Sequence, residues 1–169
     1  AARNRERSVT LTSIMSTSGA RGLPPPRIEA FLALTRRPSK AASLDKLVAH
    51  YVHLFQVIGS PGYPTPEDEL RARMRTVLAR AYRPDGTARQ MLAILASGSR
   101  SYELTTITAP TLVIHGKSDP LIPSACGVDV ANKVPGARLE LIDGMGHDLP
   151  AALLPRLAEL IEAHCRRSS

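Results

Sequence analysis

Two short segments carry residues of the kinds used for proton transfer. "VIHGKSDPLIP", Val113 to Pro123, ends an apolar run at Gly116 and then presents Asp119. "ELIDGMGHDLP", Glu140 to Pro150, ends another apolar run, passes Gly144 and Gly146 and presents His147. An imidazole is the side chain whose charge changes near neutral pH, so it serves as a general base. A carboxylate held on one ring nitrogen fixes the tautomer and leaves the other nitrogen to take a proton. A histidine buried in a core needs no glycine on its approach. One that projects from a strand end into a cleft makes use of them.

The elements around these segments decide whether the two residues can meet. "SVTLTSIM", Ser8 to Met15, is rich in β-branched residues and reads as a buried strand. "GLPPPR" then breaks the chain, and from Ile28 to about Ser97 the pattern is helical. "SLDKLVAHYVHLFQVIG" places apolar residues on one helix face behind Ser43 as N-cap. "TPEDELRARMRTVLARAY" predicts a second helix, with Thr65 as its cap, Pro66 in its first turn and acids ahead of arginines. "PDG" is read as a break, and "TARQMLAILAS" as a third helix ending at Gly98. Strands follow at Thr111 to His115 and Arg138 to Ile142, with a short helix after Pro123 between them. "LPAALLPRLAELIEAHC" closes the chain as a helix, with Pro155 at or near its start.

Apolar strands alternating with helices define an α/β fold with a parallel sheet covered on both faces. Right-handed crossovers then bring every loop that follows a strand to the same carboxyl edge. Asp119 and His147 meet there if their strands are neighbours. Three strands are few for such a sheet, and an unpaired first strand is an exposed template for aggregation. A further part of the fold is therefore expected upstream.

Composition narrows the remaining classes. The 169 residues, 43% hydrophobic and 22% charged, suit a soluble globular domain with a Leu, Ile, Val and Ala core. The net charge of +7 comes from dispersed arginines with no aromatic platform and no nucleic-acid motif, so no nucleic-acid partner is expected. Cys126 and Cys165 match neither a zinc site nor a redox pair, and reduced thiols in a cytoplasmic setting are expected. No stretch reaches the roughly twenty apolar residues of a membrane span.

"APTLVIHGKSDPLIP", followed by "ARLELIDGMGHDLP" and a terminal helix, resembles the α/β-hydrolase superfamily along the whole chain. The resemblance implies that Asp119 is the acid and His147 the base of a catalytic triad. It also implies that "RSVTLTSIMSTSG" is the sixth strand and that a helical cap is inserted after it. The core would comprise residues 1–23 and 98–169, and the cap residues 24–97. The chain is similar to small esterases of the type that includes anthracycline methylesterases. It departs from the family in lacking a G-x-S-x-G nucleophile elbow: "GSPG", Gly59 to Gly62, has the wrong spacing and lies in the cap. The nucleophile and oxyanion hole are therefore expected in a missing N-terminal half.

The expected activity is that of a serine esterase acting on a small apolar ester, with no metal or organic cofactor. With an aspartate in the elbow, the same pair would serve a haloalkane dehalogenase or an epoxide hydrolase, the latter using Tyr51, Tyr63 or Tyr82. A third possibility is an inactive fragment that only binds a partner. Other reactive residues receive structural readings. Ser16 and Ser18 follow the first strand without a tight elbow, and His115 ends a strand. His50 and His53 share a helix side without a third ligand, and Cys126 is assigned to packing. Asp148, pointing away from its neighbour His147, is expected to cap a helix or contact a loop. The apolar face between Leu44 and Ile58 is expected to pack the cap on the sheet and to line the substrate pocket.

Overall fold

The six residues Thr111–Gly116 form strand β2 and all six are buried, which makes it the centre of the fold. On one side it pairs in parallel with β1 (Leu11–Ile14), with Leu11 opposite Thr111 and Ile14 opposite Ile114. On the other it pairs in parallel with β3 (Arg138–Ile142), with Leu112 opposite Arg138 and Gly116 opposite Ile142. The sheet order is β1-β2-β3, so all three strands end at one edge. The computed structural model describes residues 1–39 and 42–166.

Seven α-helices surround this sheet among the described residues. Between β1 and β2 run α1 (Ile28–Thr35), α2 (Leu44–Ile58), α3 (Glu67–Arg80), α4 (Pro84–Ser97) and α5 (Ser101–Thr105). The crossover from β2 to β3 is α6 (Ser124–Lys133), and α7 (Leu154–Arg166) closes the chain behind a 3-10 turn at Ala151–Leu153. One core joins the sheet to α7 through Leu112, Ile114, Ile142, Met145, Leu153 and Leu157. A second lies between α2 and α3, formed by Leu47, Val48, Val52, Leu70, Met74 and Leu78. A third links α1 and α2 to the loop after β2 through Ala30, Ala33, Leu54, Ile58 and Leu121.

Several local expectations need correction. The first strand is half-buried and spans only four residues, because β2 covers just one of its edges. Thr65 does not cap α3: Pro66 takes the N-cap position, with no side-chain bond to the first turn. "PDG" does not break the chain but opens α4, where a proline at N1 sacrifices a hydrogen bond that no helix makes there. The apolar face of α2 is largely consumed by packing on α3 and α1, while Phe55 and Val57 near its end border a cavity. Ser43 does cap α2, accepting the Lys46 N–H at 3.4 Å.

Candidate active site

The site is assembled by two loops at the carboxyl edge of β2 and β3, and backbone bonds stitch the loops together. Lys117 N–H donates to Ile142 O at 3.0 Å, and Ser118 N–H donates to Met145 O at 3.0 Å. Gly116 lets the loops approach: a Cβ there would lie 2.2 Å from Met145 O. Asp119 follows within one turn. Its Oδ1 accepts the N–H groups of Leu121 at 2.9 Å and Ile122 at 2.8 Å, a local turn that aims the other oxygen outward.

That other oxygen meets the histidine. His147 Nδ1 lies 2.7 Å from Asp119 Oδ2, across two neighbouring strand tips. A carboxylate only accepts, so Nδ1 carries the hydrogen and Nε2 is the nitrogen left with a lone pair. The Asp119 side chain is fully buried, while that of His147 is 25% exposed. Burial alone would raise the Asp119 pKa. The adjacent His115 ring, hydrogen bonds from His147 and the Ile122 N–H, and the His147 charge together outweigh it and lower the value to about 2. The acid is therefore ionised wherever an imidazole could work as a base.

His115 stands behind the acid and is wholly buried. Its Nε2 donates to Ile122 O at 2.8 Å, because a carbonyl can only accept, and lies 3.6 Å from Asp119 Oδ2. Its Nδ1 is buried with no hydrogen-bond partner among the described residues. A Cβ on Gly127 of α6 would sit 2.3 Å from that nitrogen, so the ring fits only against a glycine. His115 thus supports the acid's loop from the core side.

The glycines around His147 also have a packing cause. Gly144 has φ +71, and a Cβ there would lie 2.8 Å from Gly62 Cα. A Cβ on Gly146 would lie 2.2 Å from Gly59 O. The turn between α2 and α3 presses on the histidine loop, and only bare backbone fits. His147 N–H donates to Ile58 O at 2.7 Å, and Gly146 N–H donates to Ser60 Oγ at 2.8 Å. Ser60 Oγ in turn donates to Asp148 Oδ1 at 2.5 Å. Burial raises the Asp148 pKa, and the Ser60 hydrogen bonds offset part of that.

Asp148 therefore makes the loop contact expected of it and takes no part in the pair. Ser60 was not anticipated as a contact to this loop; its partners lie 86 and 88 residues away, beyond any local motif.

The remaining candidates lie elsewhere. Ser18 is buried and donates to Asp129 Oδ2 at 2.5 Å, while Ser16 bonds to Ser13. Burial raises the Cys126 thiol pKa, opposite to what a nucleophile needs. His50 packs edge-on against Tyr51, and among the described residues no group of three potential metal ligands forms. Tyr51 and Tyr82 pack on the α2–α3 core, and Tyr63 on the sheet-side core. A cavity of about 460 Å³ borders Phe55, Ser60, Ser118, Pro120 and Asp148, beside the pair but not lined by it.

A parallel sheet whose last two strands deliver a carboxylate and then a histidine has the architecture of the C-terminal half of the α/β-hydrolase fold. No family model matches it. Rhodomycin D methylesterase DnrP of Streptomyces peucetius is 32% identical over 148 residues, which cover 88% of this chain and 50% of the relative. A second rhodomycin D methylesterase, DauP from another Streptomyces, is 32% identical over 150 residues with the same coverage. The chain thus spans about half the length of the curated relatives it matches.

Solved structures share the fold. A meta-cleavage product hydrolase from Pseudomonas fluorescens superposes with a TM-score of 0.73 at 16% identity, covering 99% of this chain and 59% of that one. A 2-hydroxy-6-oxo-6-phenylhexa-2,4-dienoate hydrolase from a Rhodococcus strain gives 0.65 at 20% identity, covering 98% and 58%.

Proposed function

We propose that this chain is the acid- and base-bearing half of a serine esterase that cleaves a carboxylic methyl ester. The observation that carries the reading is the 2.7 Å contact between His147 Nδ1 and the buried Asp119. Its support is the likeness to two methylesterases across 88% of the chain. In the complete enzyme a serine from the N-terminal half attacks the ester carbonyl while His147 Nε2 takes its proton. The tetrahedral intermediate collapses, the C–O bond to the alcohol breaks, and His147 returns the proton to the departing methoxide. A water then adds to the acyl-enzyme as His147 removes its proton. Collapse frees the acid, and the serine regains its proton from the imidazolium. Asp119 holds the tautomer and stabilises the positive ring in both halves of the cycle.

Residues 24–97 act in this reading as a cap over the cleft, on a core of residues 1–23 and 98–169. The substrate is a small apolar ester. In the joined protein, His147→Ala is expected to lower methyl-ester turnover by about ten-thousandfold or more with the fold intact. Turnover close to that of the parent protein would refute the assignment.

A further inference from the structure

The three consecutive residues centred on His147 are each tied to Ile58, the last residue of α2, or to Ser60, two residues beyond it. Gly146 N–H reaches Ser60 Oγ at 2.8 Å, His147 N–H reaches Ile58 O at 2.7 Å, and Asp148 Oδ1 receives the Ser60 hydroxyl at 2.5 Å. The direction of these bonds is fixed. An amide N–H can only donate, so Ser60 Oγ accepts from Gly146 and its single hydrogen is left for Asp148. Ser60 is 4% exposed, so water does not compete for it. A fourth bond, Gly62 N–H to Gly144 O at 2.9 Å, holds the start of the loop. Ile58 also packs its side chain with Leu121, two residues beyond Asp119, so the end of α2 touches both loops.

We propose that Ser60 and Asp148 are positioning residues, a hydroxyl–carboxyl clamp through which the helical block sets the backbone of His147 and hence the placing of its ring between Asp119 and the nucleophile. This rests on the esterase reading. A general base acts only within hydrogen-bond reach of the proton it abstracts, so the clamp acts on the chemical step and leaves binding alone.

The test uses the active protein, this chain joined to the nucleophile-bearing half, with a methyl ester and thermal unfolding measured on each variant. Ser60→Ala and Asp148→Ala are each expected to lower kcat by about ten- to a hundredfold with KM within about twofold, as for a base misplaced by a fraction of an ångström. Asp148→Asn keeps an oxygen to accept the Ser60 hydrogen and is expected to recover most of that kcat. Unchanged kcat in both alanine variants, a loss confined to KM, or Asp148→Asn as impaired as Asp148→Ala would overturn the clamp. If an alanine variant does not fold, Ser60→Cys replaces it, keeping a side chain there but weakening both bonds. Lowered kcat at constant KM supports the clamp, and unchanged kcat overturns it. His147→Ala runs alongside: its inactivity keeps the esterase reading standing whatever the clamp variants do, and its activity would refute that reading itself.

Discussion

A buried carboxylate must be paired or give up its charge, and Asp119 is paired through both oxygens. Two backbone N–H groups hold Oδ1 and an imidazole holds Oδ2. These bonds keep its pKa at about 2 against an ordinary 3.8. A depressed value means stabilisation that is complete above the ordinary value and disappears as pH falls through the folded one. It amounts to about 2 kcal/mol. Urea unfolding of the parent protein should therefore show stability falling between about pH 4 and pH 2, and Asp119→Asn should flatten that segment. An unaltered slope in the variant would place the titration elsewhere. The same substitution removes the group that fixes the His147 tautomer, and is expected to cost about ten-thousandfold in kcat. Both members of the pair were legible in the sequence because each follows an apolar run through a glycine. Ser60 was not, because a serine in a Pro- and Gly-rich turn looks the same whether it faces water or a loop 86 residues away.

At the scale of elements, the site depends on backbones that approach more closely than side chains allow. Gly146 lies against Gly59 O, and Gly127 against the His115 ring. Gly146→Ala would put a methyl carbon 2.2 Å from a carbonyl oxygen, and a backbone must move to relieve it. The expected result is a loss of about 1–3 kcal/mol in stability together with reduced turnover, since the displaced loop carries His147. Equal melting temperatures for variant and parent would mean that the turn after α2 yields freely. Gly127→Ala tests the other loop: the fully buried His115 has no space to retreat, and a comparable loss is expected in thermal unfolding. Glycines were visible in the sequence as punctuation, but which backbone each would meet was not, because Gly59 and Gly62 come from a distant turn. Helix α2 was readable from its apolar spacing and Ser43 cap, and β2 and β3 from short apolar runs ending in glycine. The start of α4 was misread because proline and glycine are strong breakers inside a helix but are tolerated in its first turn.

Across the whole molecule, burial is lopsided. β2 is buried at every residue, yet β1, on its flank, is only half-buried, and among the described residues no strand pairs with its other edge. Val9, two residues before β1, is 71% exposed. Helix α4 buries none of its described side chains and leaves Leu92, Ile94 and Leu95 in solvent, while Ile28 and Leu32 of α1 are also exposed. Apolar surface spread over one strand edge and two helices is what a fold shows when more of it belongs alongside. The chain's match to half of its curated relatives fits the same picture. Two measurements follow. Residues 1–169 alone, with Asp119 and His147 in place but no nucleophile elbow in their sequence, are expected to show no methyl-ester hydrolysis above background. Supplying the N-terminal half is expected to restore turnover and to raise the unfolding midpoint in a concentration-dependent way, because a partner that binds only the folded state stabilises it by mass action. Hydrolysis by the isolated chain would mean that one of its own residues is the nucleophile. An unfolding midpoint indifferent to the added half would mean that the open edge of β1 is not where that half docks.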